Sequence, residues 1–357
     1  MKAALDSGEI SNQSGGNIMK DVMIAAVFEK EGVLQVKEVT TPTIKKDTDV
    51  LLKVDAVSIC GSDLKILEVP PAHPAKEGVI MGHEYVGEVI ECGNAVTTLT
   101  SGDKVAIEPN IPCGTCIYCR EGMTHMCDYL DTLGETLDGG FAEYNIAPES
   151  QLHKLPVDAP PEETVFIEPL SCVVGAFEKM MVQPSDLAVV AGAGPLGLLF
   201  TQCLKAWGAN VIVSEPSPER QTYAQNCGAD EVVGQRIEYL LKVVRRYSPI
   251  GAEIVVDTVG SLMVEFLPLL RRYGKLVLFG INEHAEAKIH QYDITRNNLQ
   301  ILGSFIGSGV FPRAIEIIKN KKIDVTKLMS HKFPLSEINT GVDLLRKREA
   351  VKVVLTP

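Results

Sequence analysis

Cys113, Cys116, Cys119 and Cys127 fall close together in the run PCGTCIYCREGMTHMC, a C-x2-C-x2-C-x7-C array. Thiolates crowded in this way suit a tetrahedral Zn(II) about 2.3 Å from each sulfur, and Gly114 and Gly122 let the backbone turn around the ion. Four sulfurs close the coordination shell, so the expected role is structural and His125 inside the loop is left as a surface histidine. Local disulfides, free thiols or an iron-sulfur cluster fit this spacing less well. A second set is scattered: Cys60 in SICGSD, His83 and Glu84 in MGHEYVGEV, and Glu168 in FIEPLSC. Each alone is more often a core residue than a ligand. Together, one thiolate, one imidazole and a carboxylate would hold Zn(II) with a fourth position open to water or an alcohol oxygen, as Lewis-acid chemistry requires.

A third group is Gly192, Gly194 and Gly197, with Pro195 and Leu196 between the last two, in the run GAGPLG. It follows the strand-like DLAVVA and opens a helix-length segment. G-x-G-x-x-G in that setting lets a pyrophosphate approach the backbone at a helix N-terminus. Glu215, closing NVIVSE, stands where a carboxylate accepts hydrogen bonds from ribose hydroxyls. NAD is therefore expected over NADP, with Arg220 able to blunt the preference by meeting a phosphate.

Positioning these groups takes two kinds of scaffold. From Met23 to about Ala147, short β-rich runs alternate with Gly, Pro and Asp turns, which suits a barrel-like β domain. After about Pro169, strands alternate with helix-length segments, which implies a parallel, doubly wound sheet. The last stretch holds two amphipathic segments and a closing strand-like VKVVLT that could return to the first domain. Residues 1–22 are mostly polar and are expected to be a flexible extension. Lys and Arg number 34 against 46 Asp and Glu, a net charge of -12, which disfavours nucleic acid and anionic membrane as partners. The longest apolar run, Leu187 to Phe200, is shorter than the roughly 20 residues that span a bilayer, and no signal peptide is recognisable. A soluble cytoplasmic protein is the expectation.

The order of Cys60-Gly61-Ser62-Asp63, Gly82-His83-Glu84, the four-cysteine run, Glu168-Pro169 and GAGPLG resembles the zinc-containing medium-chain dehydrogenases, above all the polyol (sorbitol-type) and threonine dehydrogenase branches. The likeness spans nearly everything after Met23. It implies a GroES-like β-barrel catalytic domain (residues 23–170 and 308–357) around an inserted Rossmann domain (171–307), and assembly as a homodimer or homotetramer. It also implies two zinc ions per chain, with Cys60 and His83 on the catalytic one, Glu84 a third ligand directly or through water, and Glu168 able to exchange with water. Ser62 falls where the family places the hydroxyl that takes the alcohol's proton as hydride passes to NAD. The histidine expected three residues later is replaced by Lys65, which could relay protons, meet an anionic substrate group or be solvated. The polar residues Lys65, Glu68 and His73 in LKILEVPPAHP favour a polyhydroxylated secondary alcohol, such as a sugar alcohol, cyclitol or sugar acid, over an aliphatic one. A threonine or butanediol dehydrogenase is the alternative within the enzyme class, and an NAD(H)-sensing zinc protein is the alternative outside it.

Overall fold

The computed structural model describes residues 21–234 and 236–357. The expected N-terminal extension lies outside the described residues except for Asp21 and Val22, and Val22 already belongs to the first strand. β1 (Val22–Lys30) and β2 (Val33–Thr40) form an antiparallel hairpin. β3 (Asp49–Ser58) pairs antiparallel with β4 (Glu84–Cys92), which pairs with β5 (Lys104–Ile107). A small ribbon of β6 (Asn110–Ile111) and β7 (Asp131–Thr132) brackets the four-cysteine run. β8 (Tyr144–Pro148) lies beside β3, and β9 (Leu152–Lys154) beside β5.

The chain then forms β10 (Leu187–Ala191), β11 (Asn210–Ser214), β12 (Glu231–Val233), β13 (Ala252–Asp257), β14 (Leu270–Leu278) and β15 (Gln300–Gly303). These six are parallel, in the order β12-β11-β10-β13-β14-β15. Strands covered on both faces read as unbroken apolar runs, and Leu187–Ala191 is buried at every position. Strand order reverses between β10 and β13, which opens a crevice at the carboxyl ends of the strands. Finally β16 (Met329–Pro334) and β17 (Lys352–Thr356) return to the first sheet, where β17 pairs with β3 to give the order β16-β17-β3-β4-β5-β9.

One helix ties the two sheets together. Ile167–Met180 carries Pro169 in its first turn, where the missing N–H costs nothing. Its buried face (Leu170, Val173, Val174, Ala176) shares a core with Val86 and Ala106 of the first sheet and Val190, Val213 and Val256 of the second. Glu168, one residue into this helix, is thereby fixed at the junction.

Candidate active site

Backbone donors surround the four-cysteine loop. Cys113 N and Tyr129 N both donate to Cys127 Sγ at 3.3 Å, and Thr115 N and Cys116 N both donate to Cys113 Sγ at 3.4 Å. Such bonds favour thiolates. The Thr115 hydroxyl and N–H bring the Cys113 thiol down to about 6. All four sulfurs lie within 4.8 Å of one another. Cys116 Sγ and Cys127 Sγ are 3.9 Å apart, close to the edge of about 3.8 Å that a ZnS4 tetrahedron requires. The donor set and its spacing fit zinc.

The scattered set converges because β3 and β4 are antiparallel partners with Ser58 opposite Glu84. Just beyond β3, Cys60 caps the short helix Gly61–Ile66, its N–H donating to Asp63 Oδ2 at 2.8 Å. On the other side Gly82 holds φ +89°, and a Cβ there would sit 2.6 Å from the Phe141 ring, so only glycine lets the chain deliver His83 here. The donor atoms of Cys60, His83 and Glu84 lie within 4.8 Å of one another. His83 Nε2 faces Ser62 Oγ at 3.4 Å, and its Nδ1 faces Asp63 Oδ1 at 3.7 Å. Both Nδ1 and Asp63 Oδ1 are buried without a hydrogen bond, and ligation through Nε2 would fix the tautomer that donates to Asp63. A thiol, an imidazole and a carboxylate so placed fit a metal with an open position.

Electrostatics separates the carboxylates. Burial works against charge on Glu84, but the ammonium of Lys352 beside it holds its pKa below the usual range. Glu84 Oε2 accepts from both Lys352 Nζ and Ser58 Oγ, and Lys352 also donates to the Ile59 carbonyl at 3.1 Å. Glu168 lies outside the tight cluster, and burial pushes its carboxyl up to about 7. It accepts from Cys172 Sγ at 3.8 Å and acts electrostatically on His83. Lys65 donates to the Ile281 carbonyl in the loop after β14. Glu68 is exposed, and His73 meets Glu135 at 3.0 Å. Lys352, Ser58 and Glu135 were not anticipated from sequence. The one signal was a lysine set inside the apolar run VKVVL.

In the crevice, Gly192 takes φ +94° and its N–H donates to the Ser214 carbonyl at 2.8 Å. A Cβ on Gly197 would lie 2.1 Å from the Gly192 carbonyl oxygen, which locks helix Pro195–Ala206 against that turn. Leu196 follows Pro195 in the helix's first turn. Glu215 is buried at the end of β11, accepting from Ala193 N at 2.7 Å and Ser217 N at 2.9 Å. Arg220, on helix Pro218–Asn226, has a buried Nε without a partner.

A dinucleotide crevice beside a thiol-imidazole-carboxylate cluster defines a metal-assisted, nicotinamide-linked oxidoreductase. Residues 46–157 match the alcohol dehydrogenase GroES-like domain, and residues 195–320 match the zinc-binding dehydrogenase domain. The erythritol/L-threitol dehydrogenase of Mycolicibacterium smegmatis is 32% identical over 96% of this chain and 99% of its own. The L-threonine 3-dehydrogenase of Caldanaerobacter subterraneus subsp. tengcongensis is 34% identical over 95% of this chain and 100% of its own. A zinc-binding dehydrogenase from Sinorhizobium meliloti, solved bound to NADP, superposes with a TM-score of 0.88 at 29% identity, covering 95% of this chain and 100% of that one. The chain belongs to the zinc-containing medium-chain alcohol dehydrogenase family, with a GroES-like domain and a Rossmann domain. No helix among the described residues is long and apolar enough to cross a membrane.

Proposed function

We propose that the protein is an NAD-dependent polyol dehydrogenase, converting a secondary hydroxyl to a ketone with formation of NADH and release of a proton. The observation that carries this reading is the convergence of Cys60, His83 and Glu84, with Ser62 Oγ 3.4 Å from His83 Nε2. Zinc held by Cys60, His83 and Glu84, with Glu168 in reach, would lower the pKa of a hydroxyl presented to it. Ser62 Oγ takes that hydroxyl's proton and passes its own O–H proton on to water, which carries the released proton away. Asp63 orients His83, and Lys352 neutralises Glu84 so that the buried cluster does not carry an uncompensated carboxylate. Gly192, Gly194, Pro195, Leu196 and Gly197 cradle the pyrophosphate, while Glu215 receives the ribose hydroxyls and Arg220 flanks them. This favours NAD over NADP.

A polyol is preferred to an aliphatic alcohol because the surroundings are ionisable: Glu135, which meets His73, interacts electrostatically with His83 and Glu168. Polar groups at the site can hydrogen-bond substrate hydroxyls, and that gain is lost with an aliphatic alcohol. The relative that oxidises erythritol or L-threitol supports the same class.

The reading also includes a second, structural zinc on Cys113, Cys116, Cys119 and Cys127. It takes residues 23–170 with 308–357 as the catalytic domain and 171–307 as the Rossmann domain. It includes assembly with a second copy, supported by β15 as an edge strand of its sheet with exposed Phe305 just beyond it. Nine cysteines unpaired with one another suit a reducing, cytoplasmic setting. The test is NADH formation by zinc-loaded enzyme on sugar alcohols, cyclitols, sugar acids, sugar phosphates, butanediol and threonine. Polyols should give the highest kcat/KM. Butanediol or threonine outperforming all of them would overturn the assignment.

A further inference from the structure

A cavity of about 720 Å³, within the usual range for small-molecule sites, lies at the far end of helix Pro195–Ala206 from the glycine loop. Its wall residues Gln202 and Lys205 are about 15 Å along the helix axis from Gly194. None of the residues assigned above to zinc, substrate or dinucleotide lines it.

The lining is cationic in a chain of net charge -12. Lys205, Lys321, Lys322 and Lys327 border the cavity, against the carboxylates of Glu163 and Asp324. Lys205 is taken by Asp230 at 2.7 Å, and Asp324 Oδ1 is taken by the N–H and hydroxyl of Thr326. That leaves Lys321, Lys322 and Lys327, none paired with a carboxylate among the described residues, against the two carboxylates of Glu163 and Asp324. The floor is fixed. Ile323 and Val325 are buried, and Gln202 clamps the peptide groups of Asp324, accepting from its N–H at 2.7 Å and donating to its carbonyl at 2.9 Å.

Lys321 is where the chain breaks a local rule. Helix Phe311–Lys319 ends with Asn320 as its C-cap, and Lys321 N donates to Ile318 O at 2.9 Å while Lys322 N donates to Ile317 O at 3.0 Å. That is the Schellman pattern, whose left-handed position normally belongs to glycine. Lys321 occupies it at φ +49°. Complementing the helix dipole does not account for the whole cluster: Lys319 already stands in the last turn, and Lys205 and Lys327 come from other segments. A side chain held at a strained position over a cavity points to a ligand. Clustered ammonium groups on a preorganised wall suit phosphate oxygens.

We infer that this cavity is a second small-molecule site, for a phosphorylated metabolite of sugar-phosphate size. The test is calorimetric titration of glucose 6-phosphate, glucose and inorganic phosphate into zinc-loaded enzyme saturated with NADH, so that the dinucleotide crevice is filled. Glucose 6-phosphate should bind, glucose should not, and inorganic phosphate should bind more weakly. Lys321→Gly and Lys327→Met should each raise the glucose 6-phosphate Kd about tenfold. Lys321→Gly should melt no lower than the parent because it relieves the left-handed strain, and both variants should keep polyol turnover, which separates a lost ligand contact from a lost fold. The inference is overturned if glucose 6-phosphate gives no saturable heat or if neither variant moves its Kd. Inorganic phosphate binding as tightly would also overturn the sugar-phosphate assignment.

Discussion

Lys65 Nζ donates to the main-chain carbonyl of Ile281 at 2.6 Å. One hydrogen bond thus joins the helix that follows Cys60 to the loop that follows β14, linking the two scaffolds beside the site. From sequence, Lys65 was a possible relay, a contact for an anionic substrate group or a solvated cation. The structure gives its ammonium a partner that carries no substrate specificity. Lys65→Met should therefore lower kcat/KM by about threefold to tenfold for a neutral polyol and its acidic derivative alike, with Lys65→Arg recovering part of the loss. Steady-state kinetics on a polyol and the matching sugar acid checks this. A KM increase confined to the acid would mean that the side chain turns to the substrate.

Glu84 and Lys352 are both almost fully buried. Removing one member of such a pair leaves the other charge uncompensated, so Lys352→Met should destabilise the metal-free protein by about 3–5 kcal/mol, and zinc on Glu84 should reduce that loss. Glu84→Gln combined with Lys352→Met should restore much of that loss, because neither charge is then stranded. Denaturant titration of the parent, both single variants and the double variant gives the coupling directly. Additive single effects would show that the pair is not a unit.

Local spacing made the four-cysteine loop and the glycine turn legible, since each lies within a short run whose residue types leave few chemical alternatives. Cys60 and His83 were legible as motifs, but their meeting depends on the β3–β4 register that sets Ser58 opposite Glu84. Lys352 could not be paired with Glu84 from sequence: it lies 268 residues away, and only the return of β17 onto β3 brings it near. Glu135 was missed for a related reason, because a carboxylate in a turn looks solvated until the fold packs His73 against it.

The two proposed zinc sites differ in closure and should release metal at different rates. A mild chelator should first remove one equivalent per chain together with all dehydrogenase activity, since the Cys60 cluster is open to a competing ligand. The second equivalent, enclosed by four sulfurs and their N–H donors, should leave only with loss of thermal stability. Cys119→Ser should release that second zinc and lower the melting temperature while leaving the first zinc bound. Metal content, activity and melting temperature followed through one chelation series tests all three statements. A single phase releasing both ions would contradict them.

On the proposed reading, Glu215 sets the cofactor preference through two distinguishable effects. Its carboxylate orders the glycine turn by accepting from Ala193 N and Ser217 N, and its charge would repel a phosphate placed on a neighbouring ribose. Glu215→Gln removes the charge and keeps one acceptor oxygen for the two N–H donors, so NAD efficiency should fall modestly while discrimination falls further. The ratio of kcat/KM for NAD to that for NADP should drop about thirtyfold, corresponding to about 2 kcal/mol. Arg220, which interacts electrostatically with Glu215, then has its charge left to serve the 2′-phosphate. Adding Arg220→Met should cancel most of the NADP activity gained and leave NAD activity within a few fold. Measuring both cofactors on the parent, the single and the double variant separates the two residues. If Glu215→Gln leaves the ratio unchanged, discrimination resides elsewhere in the crevice.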